Sequence, residues 1–164
     1  MRPSTQERAH FLFWQYNYAM EIIARNLAEF KAEASRFAGS LTPSSQNAML
    51  VTLSGELGAG KTAFTKAVAR ALGVEEIVTS PTFVLEKIYL LPDKKLFKRL
   101  IHIDAYRLEK GADLIPLCFD KLMQDSGNLI LLEWPERVAD ALLVPSKKVF
   151  FTARSDGSRS ISYD

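Results

Sequence analysis

The segment GELGAGKT, at residues 55–62, fits the pattern G-x-x-x-x-G-K-[ST] of a phosphate-binding loop. Glycines let backbone N–H groups turn inward around a phosphate, because no Cβ stands in the way. Lys61 supplies a positive charge for the β- and γ-phosphate oxygens, and the hydroxyl of Thr62 is a ligand for Mg²⁺. A helix pattern follows the loop, so the positive end of that helix would face the same anion. We therefore predict nucleotide contacts from Gly55, Leu57, Gly58, Ala59, Gly60, Lys61, Thr62 and Ala63.

Two acidic residues follow apolar runs and are candidates for binding magnesium and for acting on water. Asp104 follows LIHI at 100–103, and Glu133 follows LILL at 129–132. A nucleotide site of this type needs an acid at such a strand end. The wholly apolar run before Glu133 is typical of a strand buried on both faces, whereas His102 indicates that the other strand has a polar or wet face. Two acidic residues at strand ends beside one phosphate loop predict two separate roles, with one carboxylate binding the metal and the other acting on water.

The elements that must position these residues alternate between strands and helices. Strands are predicted at residues 48–53, 84–91, 96–103, 129–132, 149–153 and 159–163. Helices are predicted over the first forty residues, at 61–72 and at 112–124. The first helix rests on an apolar row spaced by three and four residues: Met20, Ile23, Leu27, Phe30, Ala34 and Phe37. This alternation favours an α/β layered domain with a mixed, mostly parallel sheet between helices.

The composition is that of an ordinary globular domain. The chain has 164 residues, 48% hydrophobic and 24% charged, which is enough for one compact domain with a sizeable core. Within it we place an N-terminal helical segment and linker at 1–47 and the nucleotide-binding part at 48–164. A net charge of +2 excludes the strongly basic footprint of a nucleic-acid-binding domain. The lone cysteine, Cys118, and the lack of a membrane-spanning apolar stretch favour a cytoplasmic protein.

Other nucleotide-dependent classes are separated by their motifs. A GTPase carries D-x-x-G and N-K-x-D, and neither pattern occurs in the sequence. A small-molecule kinase shares the loop and the size but needs an arginine-bearing lid, and residues 111–127 contain only Lys121 as a base. A nucleotide-sensing module, in which ATP changes the affinity for a partner without turnover, also stays open. The presence of both Asp104 and Glu133 favours hydrolysis over sensing.

Four motifs occur in order along the chain: GELGAGKT at 55–62, SPTF at 80–83, HIDAYRL at 102–108 and EWPE at 133–136. In these motifs the sequence resembles the bacterial ATPase subunit of the tRNA threonylcarbamoyladenosine biosynthesis machinery. The resemblance covers roughly residues 48–160, and EWPE is its most diagnostic part. It implies a three-layer fold of the phosphate-loop NTPase type that binds ATP and Mg²⁺ and hydrolyses ATP weakly alone. It also implies two partner proteins, which transfer the threonylcarbamoyl group to an adenosine beside the tRNA anticodon.

The resemblance also implies roles for the polar residues of the motifs. Lys61 and Thr62 would hold phosphate and magnesium, Glu133 would be the second metal-side carboxylate, and Asp104 would orient water or couple hydrolysis to the partners. These assignments make Asp104 and Glu133 the catalytic pair. They make Thr62 and Glu133 the metal ligands.

The resemblance implies roles for three further residues. Thr82 matches a switch-like hydroxyl that senses the γ-phosphate, while Glu136 and Arg159 match positions near the nucleotide. Ala63 departs from the family pattern, because it replaces a more usual threonine and removes a contact to the α-phosphate. With its small net charge, this chain is expected to contact tRNA only indirectly, through its partners.

Overall fold

The computed structural model describes residues 20–93 and 95–163. These residues form one sheet whose strands are β1 (Met20–Ala24), β2 (Met49–Gly55), β3 (Glu86–Leu90), β4 (Arg99–Asp104), β5 (Asn128–Glu133), β6 (Lys147–Ala153) and β7 (Arg159–Tyr163). The helices are α1 (Leu27–Ser40), α2 (Lys61–Ala71) and α3 (Phe119–Met123). Three 3₁₀ turns lie at Ala105–Arg107, Gly111–Leu117 and Pro135–Arg137.

The sheet has a parallel centre and antiparallel edges. Its strand order is β1-β7-β6-β2-β5-β4-β3. The β6–β2, β2–β5 and β5–β4 pairings are parallel, and the β1–β7, β7–β6 and β4–β3 pairings are antiparallel. Five of the seven described strands therefore point the same way, which confirms the prediction of a mixed, mostly parallel sheet. Because β2, β4 and β5 are parallel, their carboxyl ends meet at one edge of the sheet.

The two faces of the sheet are covered by different kinds of structure. On one face α1 and α2 pack together through aromatic rings, with the centroids of Phe37 and Phe64 5.3 Å apart. Phe64 also contacts Phe151 of β6, at 5.1 Å between centroids. The other face is covered by the short turns and by α3, which bury Leu108, Leu114 and Phe119. The layered α/β architecture is thus confirmed, with the two longer helices on one face and only the short helix α3 on the other.

The predicted N-terminal helix is wrong for residues Met20–Ala24, which form strand β1. Two features explain the difference. Asn26 has an extended backbone and caps α1 by accepting a hydrogen bond from the backbone N–H of Glu29, so the helix begins only at Leu27. Without β1, strand β7 would be an edge strand, and β1 pairs with that side of β7 so that Met20 lies opposite Tyr163. The row from Leu27 onward is helical as predicted.

The rest of that predicted helix, before Met20, lies outside the described residues. The boundary placed near residue 47 stays a prediction, although β1 and α1 pack on the same sheet as the later elements.

The helix predicted at 112–124 is interrupted. Residues Gly111–Leu117 form a 3₁₀ segment, and α3 begins only at Phe119. Pro116 has no N–H for a helical hydrogen bond, and Cys118 adopts a left-handed backbone with φ of 53°. The helix at 61–72 and the strands predicted elsewhere are confirmed to within a few residues. In the described part of the chain, no helix has the length and apolar character that crossing a membrane requires.

Candidate functional site

A cavity of about 360 Å³ opens at the carboxyl ends of β2, β4 and β5. This is the edge at which parallel α/β sheets bind ligands. The cavity is lined by Leu57, Gly58, Gly60, Lys61, Thr62, Ala63, Thr82, Asp104, Tyr106, Glu133 and Trp134. Most of the residues predicted to act on the nucleotide therefore lie around one space.

The phosphate loop has a backbone that only glycine adopts without strain. Gly55, Gly58 and Gly60 have φ of 142°, 76° and 120°. A Cβ on Gly55 would lie 2.4 Å from the carbonyl oxygen of Phe151, so β6 leaves no room for a side chain there. A Cβ on Gly58 would meet nothing within 4 Å, so this part of the loop is open. Gly55 itself does not line the cavity, and it shapes the loop from behind.

Lys61 is buried at the start of α2 and bonds to the loop that precedes it. Its Nζ donates to the carbonyl oxygens of Gly55, at 2.5 Å, and Glu56, at 2.9 Å. The same ammonium lies 3.8 Å from the ring centroid of Trp134. Burial lowers the pKa of Lys61 from its usual value, and nearby carboxylates, Glu133 first among them, act in the opposite direction. The ammonium is thus partly desolvated beside the cavity, where a phosphate oxygen would be a strong acceptor.

Glu133 ends β5 and is 2% exposed. Its two carboxylate oxygens have different donors. The hydroxyl of Thr62 donates to Oε2 at 3.0 Å, and Nε2 of His102 lies 2.7 Å from Oε1. The two residues predicted as metal ligands, Thr62 and Glu133, are therefore in direct contact, although they lie far apart in sequence.

Asp104 ends β4, is 3% exposed and is the register partner of Glu133. Its Oδ2 accepts hydrogen bonds from the hydroxyls of Thr82, at 2.5 Å, and Ser80, at 3.5 Å. Its Oδ1 accepts from the backbone N–H of Tyr106 at 3.0 Å. The SPTF motif and the end of β4 therefore meet at the cavity.

Besides Gly55, three of the predicted site residues do not line the cavity. Arg159 donates to the carbonyl oxygens of Gly157 and Ser158 in its own turn and does not line the cavity. Glu136 is exposed, yet its charge lies close enough to raise the pKa of Lys61. Ala59 is fully buried within the loop and also lies outside the cavity lining. Contacts from these residues to a nucleotide stay predictions.

The contact between His102 and Glu133 was missed by sequence reasoning. His102 is 0% exposed, so the face of β4 that carries His102 and Asp104 is polar, as expected, but it is buried and not wet. The histidine is polar because it faces a buried carboxylate of the neighbouring strand. The signal that could have found this is the spacing of His102 and Asp104, which puts both on one face of β4, together with the pairing of β4 and β5.

The residues of the site fit a nucleotide with Mg²⁺. Mg²⁺ prefers oxygen ligands and is usually held by one or two protein groups together with substrate phosphates. The hydroxyl of Thr62 and the carboxylate of Glu133 form such a pair beside the open loop at Gly58.

Comparison with known proteins gives the family. The family model described as "Threonylcarbamoyl adenosine biosynthesis protein TsaE" matches residues 25–161, most of the chain. The chain belongs to the TsaE family. This finding confirms the resemblance inferred from the four motifs.

Curated members of the TsaE family are similar to this chain over different lengths. The protein from Streptomyces coelicolor is 45% identical over 94 residues, which cover 57% of this chain and 61% of that protein. The protein from Treponema pallidum is 36% identical, with coverage of 69% and 79%. The protein from Rickettsia prowazekii is 33% identical, with coverage of 82% and 87%. Each is described as a tRNA threonylcarbamoyladenosine biosynthesis protein TsaE.

The fold is also similar to a solved structure. The crystal structure of Bacillus subtilis YdiB superposes with a TM-score of 0.68, at 28% sequence identity. The superposition covers 88% of this chain and 83% of YdiB. The predicted fold class, a phosphate-loop α/β domain, is thereby confirmed.

Proposed function

We infer that this chain binds ATP with Mg²⁺ and hydrolyses it as a subunit of the assembly that makes threonylcarbamoyladenosine beside the tRNA anticodon. One observation carries the catalytic part of this proposal. Asp104 and Glu133, register partners at the ends of β4 and β5, both line the cavity that the phosphate loop borders. Membership of the TsaE family supports the biosynthetic part.

Each residue has a distinct task in the proposed reaction. Backbone N–H groups of the loop and the ammonium of Lys61 bind the phosphates of the substrate ATP. Thr62 and Glu133 hold Mg²⁺, which neutralises charge on the phosphate oxygens when bound. Asp104 is proposed to orient the attacking water and to accept its proton. Thr82 donates to Asp104 and would link the SPTF segment to events at the γ-phosphate.

The partners in this proposal are two proteins of the threonylcarbamoyl-transfer assembly, and tRNA is contacted through them. The net charge of +2 supports indirect contact, since tight tRNA binding depends on many neutralised phosphates. Co-precipitation with the two partners, with and without ATP, tests the assembly. Tight, salt-dependent tRNA binding by this chain alone would contradict the indirect role.

Nucleotide binding is tested by thermal unfolding with ATP and Mg²⁺. ATP at 100 times its dissociation constant adds about 2.7 kcal/mol to stability, which corresponds to roughly 5–10 °C in Tm for a domain of this size. Lys61→Met removes the charge and keeps an unbranched side chain, so the shift should largely disappear. Lys66→Met, at an exposed position of α2, is the matched control and should keep the wild-type shift. A wild-type protein without an ATP-dependent shift at millimolar nucleotide would refute the proposal.

Labelled ATP then separates hydrolysis from the two other functions considered. Release of free phosphate supports the ATPase. Binding without turnover, even inside the assembly, would instead favour a nucleotide-sensing module. Transfer of label to a small acceptor would favour a kinase.

A further inference from the structure

We propose that His102 is a positioning residue of the nucleotide site, which fixes the carboxylate of Glu133 so that its second oxygen faces Thr62. The proposal rests on the proposed function, because it concerns the metal side of that site. It assigns a task to a buried polar residue that the proposed reaction does not use directly.

The register of the sheet places His102 behind Glu133. In the β4–β5 pairing, His102 lies opposite Leu131 and Asp104 lies opposite Glu133. Side chains two residues apart on a strand share a face, so His102 and Glu133 are diagonal neighbours on one side of the sheet. Asp104 lies on the same face, one step nearer the cavity. His102 therefore reaches Glu133 from the interior, while the cavity is on the other side of the carboxylate.

The hydrogen bond defines which atoms are held. Nε2 of His102 lies 2.7 Å from Oε1 of Glu133. Because a carboxylate can only accept, the proposal requires the tautomer of His102 that carries its proton on Nε2. Thr62 uses the other oxygen, Oε2, at 3.0 Å. The side chains of His102 and Glu133 are 0% and 3% exposed, so water does not compete for this contact. With Oε1 fixed from behind, rotation of the carboxylate away from Thr62 would break a buried hydrogen bond.

The second ring nitrogen of His102 supports a role in the nucleotide site over a role in packing the core. Nδ1 is buried and has no hydrogen-bond partner. An unsatisfied buried polar atom destabilises the fold, and the neighbouring positions on this face, Leu100 and Leu131, are filled by leucine without that penalty. A histidine here is therefore explained by what its other nitrogen does for Glu133. Groups that orient a metal ligand in this way typically change metal affinity or activity about 10–100-fold when removed.

Imidazole nitrogen NMR tests the hydrogen bond without any nucleotide. The chain has two histidines, His10 and His102, so in His10→Gln all histidine signals come from His102. We expect a protonated Nε2 and a bare Nδ1, and a changed Nε2 signal in Glu133→Ala. A proton on Nδ1, or the same spectrum in the Glu133 variant, would overturn the positioning role.

A pair of substitutions tests the effect on the metal. His102→Leu removes the donor, and His102→Gln can place an amide N–H near the position of Nε2. We expect His102→Leu to raise the Mg²⁺ concentration for half-maximal ATP binding by about 10–100-fold, with little change in ATP affinity without Mg²⁺. His102→Gln should recover most of this loss. Leu100→Val, a buried change on the same face, controls for loosened packing and should leave the Mg²⁺ dependence unchanged.

The outcomes separate the two proposals. Equal loss in both His102 variants, or the same Mg²⁺ dependence in His102→Leu, Leu100→Val and wild type, would overturn the role of His102. Failure of the wild-type protein to bind ATP would overturn the proposed function and, with it, the link from His102 to a metal. The NMR result decides independently whether His102 holds Glu133.

Discussion

Glu133 and Asp104 end neighbouring strands in matched register, yet different kinds of structure hold their carboxylates. Glu133 is bonded by Thr62 at the start of α2 and by His102 within β4, both in regular elements. Asp104 is bonded by the hydroxyl of Thr82, which lies outside the helices and strands, and by a backbone N–H of a 3₁₀ turn.

The difference shows how one sheet edge can serve two tasks. Regular elements packed in the core open rarely, so the donors of Glu133 keep their places. Irregular segments rearrange at lower free energy, so the donors of Asp104 are free to change more readily than those of Glu133. A metal ligand benefits from the first situation. A group that links hydrolysis to a partner benefits from the second.

The strongest test of the comparison is Asp104→Asn, which keeps the size of the side chain and removes its charge. Turnover should fall about 10²–10⁴-fold, the usual contribution of a positioned base, while ATP binding stays nearly intact. Phosphate release and calorimetric titration with ATP measure the two quantities. If Asp104→Asn lost binding and Glu133→Ala lost only turnover, the two roles would be reversed.

The matching change on the other carboxylate is Glu133→Ala. It removes the proposed metal ligand, so the Mg²⁺ requirement for ATP binding should rise about 10–100-fold, as for other disturbed metal sites. Titration of ATP at several Mg²⁺ concentrations shows the shift. Asp120→Asn, at an exposed position of α3, is the control for loss of a carboxylate charge. An unchanged Mg²⁺ dependence would remove Glu133 from the metal site.

Thr82 gives a finer test, because its hydroxyl is the closest donor to Asp104. Thr82→Val keeps the shape and removes the donor, and turnover should fall roughly tenfold, at the lower end of the 1.5–3 kcal/mol typical of hydrogen bonds to charged groups. Thr82→Ser keeps the hydroxyl and should retain most of the activity. Loss of activity in both variants would show that shape matters there more than the hydrogen bond.

A buried carboxylate that does not line the cavity can be compared with those of Asp104 and Glu133. Glu33 of α1 is buried and accepts hydrogen bonds from Tyr163 and Arg36. Burial first, and the hydrogen bond to Glu33 second, raise the pKa of Tyr163 to about 12. An unfolded tyrosine titrates near pH 10, so the stabilisation is complete below about pH 10 and is lost as the pH rises toward 12.

The smallest expected effect is therefore on stability at high pH. Between pH 10 and 12 the wild-type protein should lose about 1 kcal/mol more than Tyr163→Phe, after allowance for solvent screening. Urea unfolding of both proteins at several pH values measures this difference. ATP binding at neutral pH should be the same in both, since Tyr163 does not line the cavity. Parallel pH profiles would show that Tyr163 does not titrate as expected.

The features that were predicted correctly are determined by the spacing of residues close together in the sequence. The phosphate loop and α2 follow from GELGAGKT and the apolar row behind it, because all their determinants lie within about one helix. The convergence of Asp104 and Glu133 was also predictable, since parallel strands end at one edge of the sheet.

The features that the sequence did not reveal depend on pairing between distant segments. Strand β1 forms because it can pair with β7, and the spacing of apolar residues within β1 does not reveal that pairing. The burial of His102 follows from Glu133 on the next strand, which spacing within β4 cannot show. Cys118 interrupts the predicted helix because its backbone is left-handed, and a cysteine does not predict that conformation.

The close fit of Gly55 against Phe151 has a consequence for the order in which the protein folds. Strand β2 pairs with β5 and β6, whose partner residues follow it by 80 and 96 positions in the sequence. During synthesis β2 therefore leaves the ribosome long before its neighbours exist, and such distant pairings form slowly. A chain halted before residue 151 would contain every residue of GELGAGKT without the strand that shapes the loop. Competence to bind a phosphate would then appear late, as a sign that the sheet is complete.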